Sequence, residues 1–136
     1  MIIRSKAPLR LGLAGGGSDV SPYCDQFGGT ILNATINLYA YCSIIESNSD
    51  KIELIATDLQ VSLSYEVGKT LPIDGKLDLI KGVYNKIVKQ FDLDARSFKI
   101  VTYSDAPPGS GLGSSSTMVV SIVRCWSFPL GSVNLR

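Results

Sequence analysis

Asp105-Ala106-Pro107-Pro108-Gly109-Ser110-Gly111-Leu112-Gly113-Ser114-Ser115-Ser116-Thr117 is the stretch that decides the reading of this chain. It follows a β-rich run, Phe98 to Tyr103, and precedes an apolar, β-branched segment ending near Trp126 that reads as a helix. Gly109, Gly111 and Gly113 permit positive φ and leave no Cβ between the backbone and a ligand. The serines fall at the cap and first turn of the predicted helix, where unpaired N–H groups and the helix dipole favour an anion. Strand, glycine-rich turn and helix N-terminus together are the parts of a triphosphate site.

Two commoner phosphate loops do not fit. A Walker A loop ends in Gly-Lys-Ser/Thr, and no lysine follows Lys99. A dinucleotide fingerprint needs a sixth-position glycine, where Ser114 stands, and an acidic residue about 20 positions on, where none exists after Asp105. A nucleotide-cofactor oxidoreductase is thereby disfavoured. A plain glycine-rich turn capping a core helix is the bland alternative, and the Ser-Ser-Ser-Thr run argues against it.

Upstream, Leu9, Leu11 and Leu13 alternate with Arg10 and Gly12, the period of a half-buried strand, which the glycines of Ala14 to Asp19 must break. A short helix is expected over Val20 to Phe27, capped by Ser18 or Asp19 and stopped at Gly28-Gly29. Thr30 to Glu46, Lys51 to Thr57 and Val61 to Val67 read as strands. Leu77, Ile80, Tyr84, Ile87, Val88 and Phe91 recur at helical spacing with Lys81, Lys86 and Lys89 opposite, and Asp74 is the expected cap. The mixture predicts an α+β domain.

At 136 residues the chain fits one domain. Its formal charge of +1 offers no basic surplus for nucleic acid, so any bound anion must be met by local geometry. The sequence has no histidine, which excludes Ser-His-Asp and Cys-His nucleophile systems within it. Cys24, Cys42 and Cys125 form no C-x-x-C pair and read as buried free thiols. The opening residues do not resemble a signal peptide, and no apolar stretch approaches the roughly 20 residues of a membrane span. A cytoplasmic protein with no membrane partner is expected.

The segment Pro107 to Ser115 resembles the second motif of the GHMP kinases, Pro-x-x-x-Gly-Leu-x-Ser-Ser, in full. Ala7 to Asp19 resembles the first, with a Gly-Gly-Ser-Asp ending similar to the branch acting on heptose 7-phosphate and fucose. Phe27-Gly28-Gly29 and Leu32-Asn33-Ala34 are similar to the same sugar 1-kinase branch. The resemblance implies a two-layer α+β N-terminal domain with a left-handed βαβ unit over residues 1–126, followed by a divergent tail, 127–136. It implies ATP and Mg2+ as cofactors and a small-molecule sugar phosphate as substrate, phosphorylated at its anomeric hydroxyl. Pro107, Gly109, Ser110, Gly111, Leu112, Gly113, Ser114, Ser115 and Ser116 would wrap the ATP phosphates, with Ser115 also a ligand to Mg2+. Gly17, Ser18 and Asp19 would hold the sugar, the Asp19 carboxylate accepting from its hydroxyls. Arg10 would stabilise the transferring phosphoryl group. Members of the family carry a C-terminal domain with a third glycine-rich motif and an acidic metal ligand, which this sequence lacks. A fragment, a truncated gene product and a frameshift are all open, as are an inactive nucleotide- or sugar-binding remnant and a different GHMP small-molecule kinase such as a fucose kinase.

Overall fold

In the computed structural model, residues 1–93 and 96–127 are described; the tail from 128 onward therefore lies outside the described residues. β1 (Ile2–Ala14) and β2 (Leu32–Ser47) form a long antiparallel pair, with α1 (Tyr23–Phe27) in their connection. β3 (Lys51–Ala56) and β4 (Val61–Glu66) form a hairpin, followed by α2 (Asp78–Phe91), β5 (Ser97–Ser104) and α3 (Ser114–Trp126). The five strands make one sheet in the order β1-β2-β5-β3-β4. β5 is antiparallel to β2 and parallel to β3, so the chain crosses from β3 to β5 by way of β4 and α2.

Alternation along the strands builds one buried face. Ala40, Cys42 and Ile44 on β2, Ile52 and Leu54 on β3, and Phe98 and Ile100 on β5 share a core with Ile80, Tyr84, Ile87 and Val88 of α2 and Met118, Ile122, Cys125 and Trp126 of α3. Trp126 closes this core, with Phe98 edge-on at 4.7 Å between ring centroids. Ser5 Oγ donates to Ser121 O at 2.5 Å, and Cys125 Sγ donates to Cys42 O at 3.2 Å. These contacts lay α3 across β1 and β2, and its N-terminus thereby emerges beside β1.

Several local expectations give way. Leu9 is buried, but Leu11 and Leu13 are 44% and 61% exposed, because the end of the β1–β2 pair extends beyond the helical layer. α1 begins at Tyr23, without a side-chain cap. Ser18 cannot cap it, since its hydroxyl is bonded to Gly15 and Thr30. Asp74 does not cap α2 either; the N-cap is Leu77, in the left-handed region, and no side chain caps it. Asp74 instead binds Lys81 Nζ at 2.5 Å. Lys81 is fully buried rather than outward-facing, its ammonium 3.7 Å from Asp78 and 5.5 Å from the Tyr65 ring centroid. α3 is buried along one face only, Val120 being exposed. Cys42 and Cys125 are buried free thiols as expected, whereas Cys24 is only half-buried.

Candidate functional site

The loop from Asp105 to Gly113 leaves β5 and enters α3. Gly109, Gly111 and Gly113 have φ of 79°, 75° and 69°, the left-handed values that favour glycine. A Cβ on Gly109 or Gly111 would meet nothing within 4 Å, so this part of the loop borders open space. Gly113, not a serine, is the N-cap of α3, and no side chain caps the helix. The first helical bond runs from Thr117 N–H to Gly113 O at 3.0 Å. The amides of Ser114, Ser115 and Ser116 therefore precede the helical ladder and have no acceptor within it. Ser115 and Ser116 are exposed, while Thr117 and Met118 turn into the core. These amides and hydroxyls, on a helix held by its buried face, form a candidate anion cradle.

A cavity of about 200 Å3 adjoins this cradle, lined by Pro108, Ser114 and Ser115 on the loop side and by Ala56, Leu59, Leu77, Ile80 and Met118 beyond. Sequence reasoning missed it, because its walls come from four separate elements and share no motif. Its surface is mainly apolar, with polar side chains contributed by Asp58, Asp78, Thr102, Ser104, Ser114 and Ser115 from several elements, a composition compatible with a small-molecule site.

Arg10 reaches the cradle from β1. Its N–H donates to Leu112 O at 3.2 Å. A Cβ on Gly113 would lie 3.4 Å from Arg10 Cγ and Nε, so the arginine side chain runs directly alongside the cap of α3. Arg10 is exposed and forms no ion pair among the described residues. A free guanidinium thus stands beside the anion cradle.

Beyond the end of β1, Gly15 to Asp19 form a turn packed on Thr30. Ser18 Oγ donates to Gly15 O at 2.7 Å or Thr30 O at 3.1 Å and accepts from Thr30 N–H at 3.2 Å. A Cβ on Gly15 would fall 1.9 Å from Thr30 O, and one on Gly29 would fall 2.4 Å from Ser18 O. Both glycines are therefore required by close backbone approach. Gly17 has φ of 88° with open space around it. Asp19 is exposed, with no hydrogen bond or ion pair among the described residues. Gly15, Gly16, Gly17, Ser18 and Tyr23 border an open depression. The structure brings Arg10 and the loop residues together, whereas Gly17 to Asp19 lie apart from them, in the turn that follows β1.

Residues 78–130 match the family model described as GHMP kinases N terminal domain. The chain carries the GHMP kinase N-terminal domain. It is 47% identical, over 98% of its length, to D-glycero-alpha-D-manno-heptose 7-phosphate kinase of Campylobacter jejuni. A crystal structure of a D-glycero-D-manno-heptose 1-phosphate kinase from Bacteroides thetaiotaomicron superposes with a TM-score of 0.86 at 63% identity over 93% of the chain. The mevalonate kinase of Methanococcus jannaschii, at 23% identity over 97% of the chain and a TM-score of 0.77, shares the fold. The GHMP domain described here spans about 40% of each of these three proteins, 40%, 41% and 41% respectively.

For a magnesium ion, the donor set of this GHMP domain is sparse. No group of three or more His, Cys, Asp or Glu residues able to hold a metal occurs among the described residues. The Ser115 hydroxyl, a hard oxygen at the cradle, fits Mg2+ as one ligand beside phosphate oxygens and water. No helix among the described residues is long and apolar enough to cross a membrane.

Proposed function

We propose that this domain binds ATP along Pro107 to Thr117 and presents the γ-phosphoryl group, beside Arg10, to a sugar hydroxyl held at Asp19. The observation that carries the reading is that the Arg10 side chain, without an ion pair among the described residues, runs alongside Gly113 at the cap of α3, which supports a role for it beside a phosphate bound there. The amides of Ser114, Ser115 and Ser116 bind phosphate oxygens, and the adjoining apolar cavity takes the nucleobase. Arg10 meets charge on the equatorial oxygens of the transferring group. Asp19 accepts from sugar hydroxyls, and Ser18 holds the turn that presents Asp19 and Gly17. When bound, Mg2+ neutralises the phosphates, with Ser115 as the protein ligand in this domain.

The reaction class is phosphoryl transfer from ATP to an alcohol, giving ADP and a sugar phosphate. The substrate class is a heptose 7-phosphate accepting at its anomeric hydroxyl, supported by the names of the relatives at 47% and 63% identity. Within this sequence, which has no histidine, the acceptors open to the proton of the attacking hydroxyl are a carboxylate or the substrate's own phosphate. Catalysis rests on positioning and electrostatics, as is general for this chemistry. Equilibrium titration of the purified chain with ATP and with NAD, each at fixed Mg2+, tests the reading. Saturable binding of ATP but not NAD is expected; equal binding of both would contradict a dedicated triphosphate cradle.

A further inference from the structure

Three residues in left-handed conformation, all glycines, give the loop between β5 and α3 little stiffness of its own. Its shape has to be imposed at its ends. At the exit, Leu112 O is held by Arg10 N–H. At the entry the arrangement is less ordinary. β2 and β5 pair with Ala40 opposite Ser104, so the next step of the ladder sets Tyr39 opposite Asp105. Asp105 N–H donates to Tyr39 O at 3.0 Å, as an antiparallel pair requires. The return bond does not go to the main chain. Tyr39 N–H donates at 2.8 Å to Asp105 Oδ2, which also accepts from Tyr41 Oη at 3.3 Å.

We infer that Asp105 is a positioning residue for the nucleotide loop. Its carboxylate takes the ladder bond that its own carbonyl would otherwise accept, which frees the main chain to turn out of the sheet there. Tyr39 in turn stands opposite Pro8 on β1, two residues before Arg10. Asp105 and Arg10 therefore tie the two ends of the loop to adjacent strands, and the separation of the anion cradle from the Arg10 guanidinium is set by both. Ser104 Oγ reinforces the turn, donating to Ala106 O at 2.9 Å. The inference rests on the reading of the loop as a nucleotide site, and the clamp itself is measurable without nucleotide.

The test uses the 136-residue chain and three variants, Asp105→Ala, Asp105→Asn and Asp105→Glu, read by amide hydrogen exchange and by Mg-ATP titration under conditions where each is folded. Asp105→Ala removes the acceptor. Exchange at the Tyr39 amide and at the amides of Gly109 to Gly113 is expected to accelerate, and Mg-ATP binding to weaken roughly tenfold or more, the effect of losing a hydrogen bond to a charged group. Asp105→Asn keeps one acceptor oxygen at the same reach and should restore both readouts. Asp105→Glu keeps the charge but moves it by one methylene, and should behave like alanine if position is what matters; it also serves if the alanine variant does not fold. Unchanged Tyr39 protection in the alanine or glutamate variant would overturn the clamp. Lowered stability with unchanged Mg-ATP affinity would reduce Asp105 to a purely structural residue and overturn the positioning role. Failure of the unsubstituted chain to bind ATP would contradict the nucleotide reading, while exchange at Tyr39 still decides the clamp.

Discussion

Arg10 and Leu112, one hundred and two positions apart, are joined by a main-chain hydrogen bond of 3.2 Å from the Arg10 amide to the Leu112 carbonyl. It ties the Asp105 to Gly113 loop to β1, the strand that leads into the Gly15 to Asp19 turn. On the proposed reading, the nucleotide loop and the acceptor turn are both anchored to β1, the kind of shared scaffold an in-line transfer requires. Gly113 completes the contact, since its missing Cβ leaves the space along which the Arg10 side chain runs.

Gly113→Ala should therefore act twice. At φ of 69° an alanine is strained by roughly 1–2 kcal/mol, and its methyl would touch the Arg10 side chain, 3.4 Å from Cγ and Nε, and narrow the space it runs through. A lower urea midpoint with unchanged m-value is expected, together with weaker ATP binding. An unaltered midpoint would mean that the cap of α3 does not adopt this conformation.

The acceptor turn offers a graded comparison. Gly15→Ala would place a methyl 1.9 Å from Thr30 O, a clash with backbone that no side-chain rotation relieves, whereas Gly17→Ala carries only the positive-φ strain of roughly 1–2 kcal/mol. Hydrogen exchange at the Thr30 amide, which is bonded to Ser18 Oγ at 3.2 Å, should rise sharply in the first variant and modestly in the second. Equal effects would contradict the packing of the turn on Thr30.

How much of this was legible beforehand depended on how local each cause is. The cradle was legible because glycines, serines and a helix start sit within a dozen consecutive residues, and α3 itself runs Ser114–Trp126 as its pattern predicts. The strand order was not, since the parallel pairing of β3 with β5 depends on contacts between residues such as Leu54 and Ile100. Periodicity placed Lys81 on the polar side of α2. Its burial arises because the segment before the helix folds back and brings Asp74 to it. Alternation likewise put Leu9, Leu11 and Leu13 on one face but could not say where the helical layer ends. Asp105 carries no helix or strand signal; its role appears only when Tyr39 is opposite.

The Lys81–Asp74 pair makes stability depend on pH at both extremes. The hydrogen bond from Lys81, then that from the Lys76 amide, holds the Asp74 carboxyl below its ordinary 3.8. A depressed folded value means that the stabilising contribution is fully present above the ordinary 3.8 and is lost as pH falls through the folded value. Burial works against the Lys81 charge, but the bonds to Asp74 and Tyr65 outweigh it and raise the ammonium above its ordinary 10.5. That contribution is present below 10.5 and is lost as pH rises through the folded value. Asp74→Asn should lower the melting temperature at pH 7 and flatten its acid limb. An acid limb unchanged by the substitution would show that other carboxylates govern it.

Turnover should need more than this domain supplies. The chain spans about 40% of the heptose kinases it resembles, and its described residues contain no acidic metal cluster. Incubated with ATP, Mg2+ and heptose 7-phosphate, the purified chain is expected to form no ADP or bisphosphate. Turnover of about 1 per second or faster, an ordinary enzyme rate, would show that these residues suffice.

The central claim, that triphosphate binds at the start of α3 beside Arg10, is tested most directly by following backbone amide resonances during an Mg-ATP titration of the chain and of its Ser115→Ala variant. The account predicts saturable shifts concentrated at Gly109 to Thr117 and at Arg10. In Ser115→Ala the same resonances should shift with roughly tenfold to a hundredfold weaker affinity, from the loss of one contact to a charged partner. Asp19→Asn should leave the titration unchanged. Saturable shifts centred elsewhere, or an affinity indifferent to Ser115, would contradict the assignment of this loop as the nucleotide site.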